Sequence, residues 1–139
     1  MILLDTNMLS ELMRPEPAGA VPAWMHLQSA AQLYVSSISF AEILYGIGLL
    51  PEGKRRRALA EQAEGMFTED FAGRVLSFDP AAAPAYVAIT GGRRRAGNPI
   101  TPLDAMIAVI ARAHGAAIAT RDQGLEGCGV PVVNPWEAS

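Results

Sequence analysis

Four carboxylate side chains occupy places in the sequence where a folded chain could bring them into one site: Asp5, Glu42, Asp104 and Asp122. Four carboxylates gathered without a counter-charge would repel one another and raise one another's pKa. A Mg²⁺ or Mn²⁺ ion would remove that conflict, because these ions prefer oxygen ligands and keep several waters. Such an ion polarises a phosphate oxygen and lowers the pKa of a bound water, so the set predicts phosphodiester hydrolysis.

Each of these acids also has a purely structural explanation. Glu42 lies three residues after Ser39, which is the spacing of a helix capping box. Asp104 would favour the first turn of a helix, and Asp122 lies in a turn-like segment. Asp5 is harder to explain in this way, because it closes an apolar run and acids at the edge of a core are seldom buried without a partner or a metal.

Apolar runs typical of buried strands alternate along the chain with segments of helical periodicity. Strands are predicted at 2–4, 33–38, 74–78, 116–120 and 130–133. Helices are predicted at 8–13 with Asn7 as the cap, from about 20, at 39–50, at about 51–67, from 80, and from the Thr101 cap to 115. Pro131 would place the last strand at an edge of the sheet.

This alternation predicts the α/β class, with a mainly parallel central sheet covered by helices on both faces in three layers. Ligands of such open sheets bind outside the carboxyl ends of the strands. The four acids all fall just after a predicted strand or in the first turn of a predicted helix. They are therefore expected to converge on one edge of the sheet.

The bulk properties predict a single domain over residues 1–139, since half of the residues are apolar and the mean hydropathy is +0.19. The single cysteine, Cys128, excludes an internal disulfide. Together with an N-terminus that has no basic leader, it predicts a cytoplasmic protein. The most apolar stretch, 105–120, contains Arg112 and His114, so no membrane segment is expected.

The net charge is −3, but the distribution of the basic residues is uneven. Seven of the 11 lie in two clusters, which are Lys54, Arg55, Arg56 and Arg57, and Arg93, Arg94 and Arg95. Such clusters can meet the phosphates of a nucleic acid even in an acidic chain. Solvated loops or helix faces explain them equally well.

At these positions the sequence resembles the PIN-domain family, in particular the VapC toxins of prokaryotic VapBC toxin–antitoxin pairs and their FitB-like relatives. The resemblance spans nearly the whole chain, and the order and spacing of its blocks are specific. These blocks are Leu3-Leu4-Asp5-Thr6-Asn7, Ser39 with Ala41-Glu42-Ile43 and Gly46, Asp104-Ala105-Met106-Ile107-Ala108, Thr120-Arg121-Asp122, and residues 129–136.

The resemblance implies a parallel sheet between helices, an acidic quartet that holds Mg²⁺ or Mn²⁺, and endonucleolytic cleavage of RNA. It also implies that Thr6 and Thr120 support the site and that Asn7 shapes the loop. Arg93, Arg94 and Arg95 become the predicted contact with RNA. One departure concerns the fourth acid: the family often has an aromatic residue shortly after the Thr-Arg-Asp block, where this chain has Gln123-Gly124-Leu125. Glu126 is a weaker alternative to Asp122.

The same resemblance implies a VapB-like antitoxin that obstructs the site with a basic side chain, contact with DNA only through that antitoxin, and a homodimer. An apolar stripe on the first two predicted helices could receive a partner's helix or simply pack in the core. Its members are Leu9, Leu12, Met13, Trp24 and Met25.

Three other functions are alternatives to a nuclease for this sequence. A haloacid dehalogenase phosphatase would need a second Asp where the chain has Asn7, and a later lysine, whereas the only lysine is Lys54. A receiver domain fails for want of a suitably placed lysine. A catalytically weak PIN domain that acts mainly as the partner of a DNA-binding antitoxin in an autoregulatory complex is the alternative that stays open.

Overall fold

Five short strands form one parallel sheet in the computed structural model, which describes residues 1–137. The last two residues of the predicted 1–139 domain therefore lie outside the described residues. The strands are β1 (Ile2–Leu4), β2 (Leu33–Ser36), β3 (Val75–Leu76), β4 (Ala117–Ala119) and β5 (Val132–Val133). Their order across the sheet is β3-β2-β1-β4-β5, so β5 forms an edge, as Pro131 predicted.

Six α-helices accompany the sheet within residues 1–137. They are α1 (Thr6–Leu12), α2 (Ala20–His26), α3 (Ser37–Gly48), α4 (Lys54–Gly65), α5 (Ala83–Arg95) and α6 (Pro102–Ala113). Short helical turns lie at Ala30–Gln32, Met66–Asp70, Pro80–Ala82 and Gln123–Leu125. None of the helices in this part of the chain combines the length and the hydropathy needed to cross a membrane.

Two cores lie on opposite faces of the sheet, because successive side chains of a strand point to opposite sides. Leu3 of β1 packs with Ile107 of α6 in one core. Its neighbour Leu4 packs in the other core with Leu9 of α1 and Ile43 of α3. Helices α1 to α4 thus contribute to one face and α5 and α6 to the other, which confirms the predicted three-layer α/β/α class.

Two helix starts differ from the sequence prediction. Helix α1 begins at Thr6, with Asp5 rather than Asn7 at the cap position. Helix α3 begins at Ser37, because the Ser36 hydroxyl accepts a hydrogen bond from the backbone N–H of Ser39 at 3.1 Å. The predicted capping box is therefore wrong, and Glu42 lies in the second turn of α3 with its side chain free for another role.

The point where the chain changes direction across the sheet lies beside β1. The chain leaves β1 toward β2 and β3 on one side and later places β4 on the other side. The backbone N–H of Asp5 donates to the carbonyl of Ala119 at 3.0 Å, which holds the carboxyl ends of β1 and β4 together. Parallel sheets place their ligand crevice at such a switch point.

Candidate metal centre

A cavity of about 520 Å³ opens at the carboxyl ends of β1 and β4, and all four predicted acids line it. They are Asp5 after β1, Glu42 on α3, Asp104 at the start of α6 and Asp122 after β4. The remaining lining residues are Thr6, Asn7, Ser10, Glu11, Arg14 and Arg121. The structure thus brings together four acids from four elements, including Glu42, whose position within its helix was mispredicted.

Asp5 is the most buried of the four acids, with 3% of its surface exposed. The Thr120 hydroxyl donates to its Oδ2 at 2.8 Å. Burial raises the pKa of Asp5 to about 6, and the negative charges of Asp104 and Glu42 add to the rise. The hydrogen bonds from Thr120 and from the backbone of Thr6 oppose it. Burial and the neighbouring acids therefore disfavour the ionised form of Asp5.

Thr120 and Asn7 tie the ends of β1 and β4 to the turn that carries Asp122. The amide Nδ2 of Asn7 donates to Asp5 Oδ2 at 3.2 Å and to the Thr120 hydroxyl at 2.9 Å. The backbone N–H of Asp122 donates to the same hydroxyl at 3.0 Å. The Oδ1 atom of Asn7 is buried and has no hydrogen-bond partner within residues 1–137. A buried acceptor of this kind calls for a water or an ion-bound water.

A chain of hydroxyls positions Glu42. The Thr6 hydroxyl lies 2.8 Å from Glu42 Oε1 and 2.8 Å from the Ser39 hydroxyl. Because an ionised carboxylate can only accept, the Thr6 hydroxyl donates to Glu42 and accepts a hydrogen bond from the Ser39 hydroxyl. Ser39 is fully buried, and its hydroxyl lies 3.4 Å from that of Ser36. Ser39, predicted to cap the helix, instead supports Glu42 through Thr6.

Asp104 and Asp122 depend on local backbone contacts instead. The Thr101 hydroxyl accepts from the backbone N–H of Asp104 at 3.4 Å, which confirms the predicted start of α6. Burial raises the pKa of Asp104, and the charge of Asp122 raises it further, against the opposing effects of Thr101 and Arg93. Asp122 is exposed, and its Oδ1 accepts from the backbone N–H of Gly124 at 2.8 Å.

Arg93 is buried, with 7% of its surface exposed, which corrects its prediction as a contact to RNA. Its guanidinium donates to three backbone carbonyls at 2.8 to 3.0 Å, those of Asn98, Gly124 and Glu126. It also lies 3.1 Å from the sulfur of Cys128. Arg93 therefore holds the loop after Asp122 against α5, a contact that its place in a run of three arginines did not reveal.

The other two members of that run, Arg94 and Arg95, are exposed at the end of α5. Their interpretation as contacts to RNA stays a prediction. Glu126, the weaker candidate for the fourth acid, does not line the acidic cavity. It lines another cavity of about 210 Å³, which shares Arg121 and Asp122 with the acidic one. The structure thus favours Asp122 over Glu126 as the fourth acid by position.

Three residues that line the cavity, Glu11, Arg14 and Arg121, had no role predicted from the sequence, and neither had Trp136, which contacts Glu11 and Arg121. Glu11 is buried; its Oε2 pairs with Arg14 Nη1 at 3.1 Å, and its Oε1 accepts from Trp136 Nε1 at 3.2 Å. Burial alone would raise the pKa of Glu11, but the hydrogen bonds from Trp136 and Arg14 lower it below its ordinary value. The guanidinium carbon of Arg121 lies 4.7 Å from the centroid of the Trp136 ring.

A second, mostly apolar cavity of about 330 Å³ adjoins the acidic one and shares Thr6, Ser10, Arg14 and Glu42 with it. Its apolar lining comes from α1, α3 and α4 and includes Met13, Ile43, Ile47, Leu50 and Leu59. Two members of the predicted apolar stripe, Leu9 and Trp24, are buried in the core instead. The groove therefore lies between α1, α3 and α4 rather than on the first two helices.

The donor chemistry of the acidic cavity suits a hydrated divalent cation. Within residues 1–137, no three carboxylate, imidazole or thiol groups lie close enough together to hold an ion by themselves. The oxygen donors that line the cavity are carboxylates, hydroxyls and the Asn7 amide, and neither histidine nor cysteine is among the lining residues. Zinc prefers close nitrogen and sulfur ligands, whereas Mg²⁺ keeps several waters and uses one or two direct carboxylates. The unpaired Asn7 Oδ1 offers an acceptor to such a water.

Comparisons with known proteins agree with this architecture. The family model of the PIN domain matches residues 2–128. The chain is 47% identical over 139 residues to the plasmid stability protein StbB of Pseudomonas syringae pv. tomato, covering 99% of this chain and 100% of that protein. It is 42% identical over 138 residues to the VapC ribonuclease Y4jK of Sinorhizobium fredii, covering 99% of each. The structure of FitAB bound to an IR36 DNA fragment matches with a TM-score of 0.91 and 39% identity, covering 100% of this chain and 98% of that chain.

Proposed function

This chain belongs to the PIN domain family, and from that premise we propose that it is the toxin of a VapBC-like toxin–antitoxin pair and a metal-dependent endoribonuclease. The observation that carries the proposal is the convergence of Asp5, Glu42, Asp104 and Asp122 on one cavity at the switch point of the sheet. Its similarity to a VapC ribonuclease over nearly the whole chain supports the same reaction class.

The residues of this chain would prepare the site for a Mg²⁺ or Mn²⁺ ion. Thr120 and Thr6 each donate to a carboxylate oxygen, which fixes Asp5 and Glu42 before any ligand arrives. The raised pKa values of Asp5 and Asp104 mean that added positive charge would favour the ionised form of both acids. A bound ion would supply that charge, polarise the scissile phosphate and lower the pKa of a bound water.

Proton transfer in the site would fall to carboxylates. The chain has two histidines, His26 and His114, and neither lines the acidic cavity; nor does Lys54. A proton lost by the attacking water must therefore pass to one of the four acids or to solvent. The cavity is open enough for solvent exchange through the side where Asp122 is exposed.

A VapB-like antitoxin is the partner we propose for the apolar cavity between α1, α3 and α4. That cavity runs into the acidic one at Thr6 and Glu42, so a segment lying in it could place a basic side chain among the acids. The similar FitAB complex was solved on a DNA fragment. We propose that this chain likewise meets DNA only through its partner, and the homodimer implied by the resemblance remains a prediction.

The enzymatic proposal is tested by incubating the antitoxin-free protein with a labelled RNA pool in Mg²⁺ or in EDTA. Cleavage in Mg²⁺ that EDTA and Asp5→Asn both abolish is the expected result. Asp70→Asn is the matched control, because Asp70 is exposed and does not line the cavity. A protein that binds its antitoxin but leaves the pool intact in both Mg²⁺ and Mn²⁺ would instead support the catalytically weak alternative.

A further inference from the structure

Two arginines from different elements are the cations that line the acidic cavity within the described chain. Arg14 follows α1, and Arg121 follows β4, directly before Asp122. Neither forms an ion pair with any of the four converging acids, since within residues 1–137 the one ion pair joins Arg14 to Glu11. The two arginines therefore line the cavity without pairing with its four acids, so neutralising those acids does not explain their position.

Glu11 anchors this arrangement. It is 5% exposed, and both of its carboxylate oxygens are occupied, one by Arg14 at 3.1 Å and one by the indole N–H of Trp136 at 3.2 Å. Because its oxygens are already used, Glu11 is the acid of the cavity that is least suited to bind an ion. Its lowered pKa keeps it ionised as a fixed counter-charge for Arg14.

Trp136 extends the arrangement to Arg121. The guanidinium of Arg121 lies over the indole ring at 4.7 Å, within the range of a cation–π contact. A guanidinium that contacts a ring through its flat face leaves its own N–H groups, which lie in the guanidinium plane, free to donate. No hydrogen bond within residues 1–137 occupies those donors of Arg121. Arg14 is also largely open, with 65% of its side chain exposed and one nitrogen engaged.

We propose that Arg14 and Arg121 bind the backbone phosphates that neighbour the scissile phosphate of RNA, and that Glu11 and Trp136 are the positioning residues that aim them. This inference rests on the proposed function and names how the substrate is held. A polyanion that approaches four carboxylates is repelled, so the site needs cations that the acids do not neutralise. Guanidinium groups suit this task because they contact phosphate with two parallel N–H groups.

The test compares cleavage of a fluorescent, mixed-sequence single-stranded RNA by wild type, Arg14→Gln and Arg121→Gln. Each variant should raise KM about tenfold and change kcat less than about twofold, as expected for a lost charged hydrogen bond to the bound strand. Each should also reduce the slope of log KM against log salt by about 0.7, because one phosphate contact no longer releases counterions.

Arg112→Gln is the matched control, because Arg112 is exposed near the end of α6, eight residues after Asp104, and lies outside the cavity. It should leave KM and the salt slope unchanged. Trp136→Phe tests positioning, since it keeps a ring but loses the N–H that binds Glu11. It should raise KM in the wild-type background and have little further effect when Arg14 and Arg121 are both Gln.

The inference and the proposed function fail in different ways. If the wild type leaves this RNA intact, the proposed function fails. If the wild type cleaves and both arginine variants keep its KM and salt slope, the inference is overturned while the function stands. It is also overturned if the variants weaken antitoxin binding alone, because the arginines would then recognise the protein partner. A Trp136→Phe effect that persists in full without the two arginines contradicts the positioning role.

Discussion

The acidic cavity has a buried half and an open half, and the chain builds them differently. In the buried half, named for Asp5, Asp5 and the half-buried Glu42 are each held by a hydroxyl from another element, Thr120 and Thr6. In the open half, named for the exposed Asp122, Asp122 and the half-buried Asp104 belong to segments whose hydrogen bonds are local, namely the Asp122 contact with Gly124 and the Thr101 cap of α6. The contacts of the buried half join residues 115 and 36 positions apart, and those of the open half join residues 3 and 2 apart.

This difference indicates that the tertiary fold fixes the acids of the buried half, whereas local contacts fix those of the open half. The buried half cannot rearrange without disturbing the junction of β1 and β4, so it is preorganised for a ligand. The open half is set by one helix start and by a loop that Arg93 fastens to α5. We therefore expect substitutions in the buried half to cost the most activity and substitutions in the open half to be tolerated better.

The largest effect is expected for Asp5→Asn. Removing the buried carboxylate should lower kcat at least about 10³-fold, since a metal ion contributes several kcal/mol and each 1.36 kcal/mol is tenfold. The measurement is the single-turnover cleavage rate in saturating Mg²⁺, with Asp70→Asn as the control. An Asp5→Asn protein that retains a tenth of the wild-type rate would contradict the greater importance of the buried half.

The second prediction concerns the pH dependence of stability without metal. With a pKa of about 6 in the fold and 3.8 as the reference, Asp5 keeps its proton between these values while the unfolded chain releases it. The free energy of unfolding should therefore fall as pH rises from about 4 to 6, by up to about 3 kcal/mol, and then level off. Asp5→Asn should abolish this fall and raise the metal-free Tm at pH 7.5. The prediction is contradicted if the free energy of unfolding of the wild type rises between pH 4 and 6 and Asp5→Asn shows the same pH dependence.

The third prediction concerns the support of the open half. Arg93→Met should lower the free energy of unfolding by about 2 kcal/mol, because it leaves buried carbonyls without donors. Arg94→Met is the matched control on the exposed side of α5 and should change stability by less than about 0.5 kcal/mol. Urea unfolding followed by circular dichroism measures both. Equal midpoints for the two variants would mean that Arg93 does not fasten the loop.

The smallest effect is expected for Asp122→Asn. The amide keeps an oxygen that can accept from the Gly124 N–H, and Asp122 is exposed, so we expect about a tenfold loss of kcat/KM. The unfolding midpoint should not change. A loss as large as that of Asp5→Asn would show that the two halves of the cavity contribute equally and would remove the distinction drawn between them.

Much of the fold was predictable because its signals are local. Apolar runs located the strands, and the Thr101-Pro102 pair located the start of α6. The start of α3 was misplaced because Ser36 and Ser39 are both able to cap a helix, and the sequence does not show which hydroxyl faces the free N–H groups. The cap lies at Ser36 rather than Ser39, but Glu42 still lines the acidic cavity. The prediction that the four acids converge therefore did not depend on the helix start.

The contacts that hold the site together were not predictable from one sequence. Trp136 meets Glu11 across 125 positions, and neither residue type nor spacing marks that pair. Arg93 looked like its two neighbours, and only the packing of α5 against the loop after Asp122 separates it from them. Such contacts depend on which elements become neighbours, and hydrophobic periodicity leaves that open.

The central claim is that the buried half of the cavity forms a divalent cation site. It is tested most directly by titrating Mn²⁺ into the metal-free protein at pH 7.5 and counting free ion by electron paramagnetic resonance. The account predicts saturable binding to the wild type and to Asp70→Asn, competition by Mg²⁺, and loss of binding in Asp5→Asn. Equal Mn²⁺ binding by Asp5→Asn and the wild type would contradict it.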